Sequence, residues 1–315
     1  MDALSELLSL LKPKSYITAG FDAGGHWALT LDDLGGRIKC YAVMRGECWL
    51  TMNGIGDAIK VCAGDCFVLP SGRSVHIASD LQTKPRPASE VLDPNRSGEV
   101  VTYNGGGDVL LVGSRFEIDG PHAEFMLKAL PPLIRVDASS DQIKLRLYLD
   151  LMMAELKDMK PGAMSVAQNL SHMILAQVLR LHIETANETD VGWFAALSEP
   201  RIGKAMEAMH SDPALPWTLE ALADKVGMSR SSFADHFRKR VGEPPMSYLT
   251  RWRMVSAAER LSLGQESITQ ISISLGYASE HAFSTAFKRV MGLPPRQYGR
   301  GREQEVSSTG IIGKI

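Results

Sequence analysis

Residues 226–245, VGMSRSSFADHFRKRVGEPP, and residues 275–295, LGYASEHAFSTAFKRVMGLPP, are two copies of one pattern. Phe233 of the first copy aligns with Phe283 of the second at an offset of 50 residues, and both copies end in Gly-x-Pro-Pro. Self-similarity at a fixed offset indicates one structural unit that occurs twice. We therefore expect two similar units in the last third of the chain.

Each copy has the residue types of a helix, a tight turn and a second helix. Small polar residues that cap helix N-termini precede the four expected helices: Thr218, Ser229, Ser267 and Ser279. Gly227 and Gly276 supply the positive φ that ends the first helix of each copy. Phe237 follows Phe233 by one turn, which places both rings on the buried side of the second helix, and the second copy repeats this spacing.

The face opposite the phenylalanines carries polar and basic side chains in both second helices. The first presents Arg230, Ser231, Ser232, Asp235, Arg238 and Lys239. The second presents Glu280, His281, Ala282, Thr285, Lys288 and Arg289. Residues early in such a helix reach base edges, and basic residues near its end suit phosphates. The pattern predicts sequence-specific binding to double-stranded DNA, and the alternative is that these are solvated faces of ordinary helices.

Between the copies, residues 245–261 have apolar side chains at helical spacing and predict one long helix. Such a helix would hold the two units at a fixed distance. Two units that enter successive major grooves on one face of B-DNA need to be about 34 Å apart.

Charge is distributed unevenly along the chain, although the net charge is −2. Residues 200–300 hold 14 Lys and Arg against 9 Asp and Glu, a net charge of +5, whereas residues 1–199 have a net charge of −7. A basic C-terminal domain joined to an acidic N-terminal one fits a DNA-binding module attached to a second domain.

The C-terminal third resembles the AraC/XylS family of bacterial transcription regulators. The resemblance rests on SRSSF at 229–233, GEPPMSYLTRWRM at 242–254, GYAS at 276–279, FKR at 287–289 and GLPPRQY at 292–298. It implies a DNA-binding domain over residues 191–300 and, for an activator, RNA polymerase as a further partner. The family often has Arg where Thr285 stands, so that contact departs from the family pattern. The sequence does not distinguish an activator from a repressor.

The N-terminal half has two patterns. From residue 17 to 118, short runs of strand-forming residues alternate with glycine-containing turns, which predicts a β-barrel or sandwich, and the polar stretch 80–107 is expected to be a mobile loop. Beyond residue 132 the period becomes helical. One stripe is Ile143, Leu147, Leu151 and Ala154, and another is Leu170, Ile174, Val178 and Leu181. We expect an antiparallel helical pair within residues 137–190, with the polar segment 184–190 as the linker.

Residues 64–72, GDCFVLPSG, fit the second sequence motif of the cupins. Together with GECWL at 46–50 and residues 116–136, they resemble the cupin sensor domain of one AraC subgroup. This resemblance implies a cupin-like barrel over residues 1–136 that responds to an unknown small-molecule effector, and a homodimer contact through the helical pair. The whole chain is then an α+β multidomain protein: a β-barrel with a helical pair, followed by an all-α domain in which a linker helix joins two helix-turn-helix units. Residues 301–315 would form a flexible tail.

An enzyme of the cupin type is the rival interpretation. Metal cupins carry a His-x-His pair on an early strand, because a divalent ion needs three or four convergent nitrogen or oxygen ligands. The corresponding strand reads KCYAV at 39–43, and His76 alone favours a structural histidine. We therefore expect no enzymatic activity, no metal and no cofactor.

The four cysteines lie within 27 residues: Cys40, Cys48, Cys62 and Cys66. Cys62 and Cys66 flank a tight turn that could bring their sulfurs together, and Cys40 and Cys48 are expected in adjacent strands of one hairpin. These thiols and His76 are candidate sensor residues for a redox signal or a soft metal, and inert packing in an apolar core is the alternative.

The N-terminal apolar run lies beside Asp2 and Glu6, where a signal peptide would be basic. No later stretch approaches the roughly 20 apolar residues that span a bilayer. We expect a cytoplasmic protein with no membrane partner.

Overall fold

The computed structural model describes residues 3–31, 37–70, 73–92, 98–118, 127, 130–138, 143–185 and 192–299. These residues form two compact units. One contains residues 3–10 and 192–299, and the other contains residues 11–118 and 127–185, where they are described. The expected tail 301–315 and most of the expected linker, residues 186–190, lie outside the described residues.

After a first helix, α1 (Ala3–Leu11), the chain forms two sheets. The strands are β1 Lys14–Ala23, β2 Ala28–Leu31, β3 Ile38–Arg45, β4 Glu47–Met52, β5 Ile55–Cys62, β6 Cys66–Leu69, β7 Val75–Ala78, β8 Arg86–Pro87, β9 Val100–Tyr103, β10 Val109–Glu117 and β11 Ile134–Val136. The six-stranded sheet has the order β11-β6-β3-β10-β1-β9, and the five-stranded sheet has the order β5-β4-β7-β2-β8. Alternate side chains of both sheets form one apolar core, which includes Phe21, Trp27, Leu50 and Phe67.

The expected closed barrel is wrong, because no ladder of hydrogen bonds joins the two sheets among the described strands. Among the edge strands of the two sheets, β8 and β11 have only two and three residues, which limits the pairing that they could offer to the other sheet. The chain passes from one sheet to the other at Gly46, where φ is +75°. A Cβ at this position would lie 2.0 Å from the carbonyl oxygen of Asp108, so a glycine is required. The result is a sandwich.

The stretch 80–107 is more ordered than expected. It contains β8, a 3₁₀ turn at Ala88–Glu90, and β9, which pairs in parallel with β1. Val100 of β9 packs against Gly20 of β1, where an added Cβ would lie 2.8 Å from the valine methyl group. The β-branched side chains of β9 thus find a partner strand that the surrounding prolines and glycines concealed in the sequence. Residues 93–97 lie outside the described part.

The helical pair consists of α2 (Ile143–Asp158) and α3 (Ala163–Glu184). The predicted stripe of α3, from Leu170 to Leu181, is buried. Helix α2 instead buries Leu145, Leu149, Met152 and Leu156 and exposes its predicted stripe. Hydroxyl groups fasten α3 to the six-stranded sheet, since Ser171 Oγ lies 2.9 Å from Thr18 Oγ1 and 2.8 Å from Ser114 Oγ.

The described residues from 192 to 299 form helices joined by turns and short loops. The helices are α4 Trp193–Ser198, α5 Pro200–Ser211, α6 Leu219–Lys225, α7 Arg230–Val241, α8 Pro245–Leu263, α9 Ile268–Ser274 and α10 Glu280–Met291. Helices α6 and α7 form the first predicted helix-turn-helix, and α9 and α10 form the second. The long helix predicted between them is α8, which buries residues on both sides, including Tyr248, Trp252, Val255 and Ala258. Its two faces therefore serve as core for both units.

Candidate nucleic-acid interface

The four predicted caps are present at the start of the helices of both units. Thr218, Ser229 and Ser279 each accept a hydrogen bond from a backbone N–H in the first turn of the following helix. Ser267 forms a reciprocal capping box with Gln270. These caps satisfy N–H groups that a helix start leaves without a partner, and they fix where each helix begins.

The second helix of the first unit, α7, presents the predicted polar face to solvent. Phe233 and Phe237 are fully buried, with ring centroids 5.6 Å apart. The six residues predicted to contact DNA are all exposed: Arg230, Ser231, Ser232, Asp235, Arg238 and Lys239. Arg240, in the same basic run, is buried and donates to the carbonyl oxygen of Ala195 in α4. The basic run RKR thus divides into two exposed cations and one that anchors a neighbouring helix.

The second unit differs from the first at the start of its second helix, α10. His281, Ala282, Thr285, Lys288 and Arg289 are exposed as predicted. Glu280 is half-buried and its carboxylate accepts from Thr269 Oγ1 at 2.7 Å and from Arg296 at 3.5 Å. The structure therefore ties Glu280 to protein groups, which its exposed position in the sequence pattern did not indicate.

Both second helices end with cations near their C-termini, where the helix dipole is negative. Arg238 and Lys239 lie in the last turn of α7, and Lys288 and Arg289 lie in the last turn of α10. All four are exposed. An exposed pair of cations at the end of each helix is suited to two neighbouring phosphates of a DNA strand.

A buried polar network in the compact unit of residues 3–10 and 192–299 was not predicted from the sequence. Tyr248 Oη of α8 receives a hydrogen bond from Trp193 Nε1 at 3.0 Å and lies 2.7 Å from His210 Nε2. His210 Nδ1 lies 3.4 Å from Glu6 Oε2, and its ring stacks on Trp252 at 3.6 Å. Burial lowers the pKa of His210, although Glu6 opposes this shift. No local pattern reveals such a network, because Glu6 and Trp252 are separated by 246 residues in the chain.

Strand register separates the candidate sensor thiols. Cys48 lies in the core between the sheets. Cys66 of β6 is paired with Ala42 of β3, and Phe67, the next residue after Cys66, belongs to the core between the sheets. Because side chains alternate along a strand, Cys66 lies on the opposite face of the six-stranded sheet, beneath α3. Cys40 shares that face. The expected hairpin of Cys40 and Cys48 is wrong, because β3 and β4 belong to different sheets.

Burial raises the pKa of Cys40 and of Cys48 to about 12, and it raises the pKa of Cys66 well above its usual value. These three thiols are therefore weak nucleophiles at neutral pH. Cys62 is the exposed member of the four, at the end of β5. The Asp65 backbone N–H donates to the Cys62 carbonyl oxygen at 2.9 Å, which closes the tight turn that was predicted there.

His76 lies on the outer face of the five-stranded sheet, since its neighbours Val75 and Ile77 point into the core. Its Nδ1 lies 2.9 Å from Thr30 Oγ1 on the adjacent strand. Within the described ranges, no three His, Cys, Asp or Glu side chains converge as metal ligands would. None of the helices described above is long and apolar enough to cross a bilayer.

The whole chain matches known proteins in both of its parts. A cupin family model matches residues 2–184, and a helix-turn-helix domain model matches residues 222–301. The chain is 38% identical to an AraC-like transcription regulator of Streptomyces lividans over 299 residues, which cover 95% of this chain and 98% of that protein. The chain belongs to the AraC/XylS family of transcription regulators. It is also 30% identical to the HTH-type transcriptional regulator AlkR of Acinetobacter baylyi, over 95% of this chain and 99% of AlkR.

Among solved structures, the C-terminal domain of the response regulator AraT from Geobacillus stearothermophilus is 32% identical in sequence. The match covers 33% of this regulator and 87% of that domain, with a TM-score of 0.32. Membership of the family means that this regulator acts on transcription by binding DNA.

Proposed function

We propose that both helix-turn-helix units of one subunit read DNA, with α7 and α10 in successive major grooves. This proposal rests on the similar exposed faces of α7 and α10 described above. Each helix buries two phenylalanines and exposes a polar face that ends in two cations. Short side chains early in α7, such as Ser231 and Asp235, are placed to approach base edges, while the cations are placed to contact phosphates.

Salt dependence tests whether both helices bind. Replacing Arg238 and Lys239 together by alanine removes two phosphate contacts, and so does the double substitution of Lys288 and Arg289. Each double variant should lower the slope of log affinity against log salt by about 1.8 for each bound subunit. The double variant Lys157→Ala/Lys160→Ala, in and just after α2, changes the net charge equally and should leave the slope unchanged. A wild-type slope in the Lys288 and Arg289 variant would remove α10 from the interface.

We further propose that the regulator is a homodimer whose subunits meet through the exposed stripe of α2. Ile143, Leu147 and Leu151 are 75%, 53% and 47% exposed and lie four residues apart, so they form one apolar ridge. The opposite side of the same helix is already buried within its own unit. An exposed ridge of three large apolar side chains is typical of an association surface.

The proposed occupant of the ridge is a second copy of α2 in antiparallel orientation, because a twofold-symmetric contact presents the same surface from both subunits. Ridges of residues four apart also interdigitate well when two helices cross.

Sedimentation of the full chain tests the dimer. Leu147→Glu should convert the dimer to a monomer, because two carboxylates would be buried in the ridge. Leu81→Glu is the matched control, since Leu81 is 57% exposed in the same unit but lies outside the helical pair. A monomeric wild type, or a dimeric Leu147→Glu variant, would contradict the proposal.

The sandwich is proposed to be a sensor and not a catalyst. Its core is apolar and aromatic, and the Nε1 of the buried Trp27 has no hydrogen-bond partner among the described residues. An unsatisfied buried N–H costs about 1–3 kcal/mol, which a ligand with one acceptor would recover. A panel of small apolar compounds with one hydrogen-bond acceptor, screened by thermal melting, should contain stabilising members. Their effect should be lost in Trp27→Phe, which keeps an aromatic ring but removes the indole N–H. Equal stabilisation of both proteins would show that the indole N–H is not involved.

A further inference from the structure

The loop between α5 and α6, residues 212–217, packs against the turn of the second helix-turn-helix. An added Cβ on Gly276, in that turn, would lie 2.4 Å from the carbonyl oxygen of Ala214. The two backbones therefore approach as closely as a glycine allows. This loop leads directly into α6 of the first helix-turn-helix unit. Its packing against Gly276 is therefore a direct contact between the two helix-turn-helix units.

Arg253 of the linker helix α8 holds the loop in place. Its Nε donates to the carbonyl oxygen of Pro213 at 2.7 Å, and one terminal nitrogen donates to the carbonyl oxygen of Leu215 at 2.9 Å. The guanidinium also lies 5.8 Å from the ring centroid of Tyr277, the residue after Gly276. Tyr277 in turn packs edge-on against Phe283 of α10 at 5.6 Å. One side chain thus connects the loop, the linker helix and the second unit.

The loop is stiff enough to act as a spacer. The Trp217 backbone N–H donates to the Leu215 carbonyl oxygen at 2.7 Å, and Trp217 Nε1 donates to the Asp212 carbonyl oxygen at 3.0 Å. Pro213 and Pro216 fix φ at two further positions. Beyond the linker helix, the chain passes to α9 through Gly264, whose φ of +64° marks the end of α8. The second unit packs on the C-terminal half of α8 through Met254 and Leu261, and the loop 212–217 adds a second contact, which connects this unit to the first.

We propose that Arg253 is a positioning residue that clamps the two helix-turn-helix units at one distance and rotation, through the loop 212–217 and the close approach at Gly276. The clamp makes the regulator select DNA sites by the spacing of their two halves as well as by their sequence. One inserted base pair moves the second half-site by about 3.4 Å and rotates it by about 34°. A clamped pair of units cannot follow this displacement. The inference rests on DNA being read by both α7 and α10, as proposed above.

The internal repeat supplies a matched control. Gly227 occupies the position of Gly276 in the first unit and has a similar φ, +66° against +78°. An added Cβ at Gly227 meets nothing within 4 Å. Alanine imposes left-handed backbone strain at both positions, but only Gly276→Ala also pushes away the loop.

The test uses the full chain and a library of random double-stranded DNA, from which bound sequences are selected and sequenced. The wild type should yield two motifs at one spacing. Arg253→Gln and Gly276→Ala should yield the same two motifs at several spacings, and Gly227→Ala should retain the single spacing. On the selected site with one base pair inserted, the wild type should lose affinity by about 10-fold or more, and the two clamp variants by less than about threefold.

A thermal melt of each variant accompanies the selection. If Arg253→Gln does not fold, the comparison of Gly276→Ala with Gly227→Ala decides the question. A single wild-type spacing in the clamp variants overturns the clamp. A wild type that selects only one motif is a different result, because it refutes reading by both helices and with it the role of Arg253.

Discussion

Two neighbouring residues of α7 allow base reading and phosphate anchoring to be separated. Asp235 and Arg238 are both exposed on the face opposite Phe233 and Phe237. A carboxylate can accept a hydrogen bond from a cytosine amino group, but it would be repelled by a phosphate. Arg238 lies in the last turn, where a phosphate contact is expected. We predict that Asp235→Ala changes sequence preference, while Arg238→Ala changes the overall strength of binding.

The size of each effect follows from the number of contacts. Each subunit contributes four cations to phosphates in the proposed complex, and with about 0.9 counterions released per contact, the affinity of one subunit should fall about 150-fold between 50 and 200 mM salt. Removing Arg238 leaves three contacts per subunit and a fall of about 40-fold over the same range. Asp235→Ala should keep the wild-type salt dependence and lose about 1–3 kcal/mol of discrimination at one or two base pairs.

Binding to a randomised DNA library at several salt concentrations measures both quantities at once. Phe237→Ala serves as the folding control, because loss of a fully buried aromatic ring costs about 3–5 kcal/mol and should unfold the unit. The reasoning is refuted if Asp235→Ala retains the full sequence preference while Arg238→Ala loses it. That result would mean that α7 is rotated about its axis relative to the DNA.

Three further predictions follow from burial. At pH 8, Cys62 should react rapidly with a disulfide reagent, and the three buried thiols should react only after unfolding. Any effect of mild oxidant on DNA binding should vanish in Cys62→Ser. Rapid labelling of several thiols would contradict this prediction. A fragment that starts at residue 192 should melt well above one that starts at residue 199. The shorter fragment lacks the buried Trp193 and Phe194, and the loss of each costs about 3–5 kcal/mol of stability. Equal melting temperatures would show that α4 does not stabilise the domain. Burial lowers the pKa of His210 below its unfolded value of 6.5, so the unfolded chain binds more protons than the folded one. The free energy of unfolding should therefore fall as the pH drops below about 6.5, and it should fall less in His210→Gln. Parallel profiles of stability against pH in the two proteins would reject this cause.

The C-terminal domain was predictable because its determinants are local. Caps such as Ser229, the turn residue Gly227 and the buried pair of phenylalanines act within one or two helical turns, and the repeat showed each of them twice. The contacts of Glu280 and the interactions of His210 were not predictable, because their partners lie on other helices. The contacts of Arg253 with the loop 212–217 were not predictable for the same reason, because they join residues that are distant in the chain.

The N-terminal domain was predicted less completely, since its sequence pattern is compatible with more than one packing. Alternating strand residues do not reveal that the chain changes sheets at Gly46, and thus they do not distinguish a sandwich from a closed barrel. Helix α2 carries two apolar stripes, and a pattern in one dimension cannot show which of them is buried. The structure resolves this by packing Leu149 and its stripe inward and leaving Leu147 exposed.

Hydroxyl-radical footprinting of the full regulator on its selected DNA site shows whether both helix-turn-helix units of one subunit contact DNA. We expect, for each subunit, two protected segments on one face of the duplex with centres about 10 base pairs apart, because α7 and α10 enter successive major grooves. The double substitution of Lys288 and Arg289 by alanine should weaken protection of one segment of each pair. A single protected segment for each subunit, or protection that does not depend on DNA sequence, would contradict reading by two helix-turn-helix units.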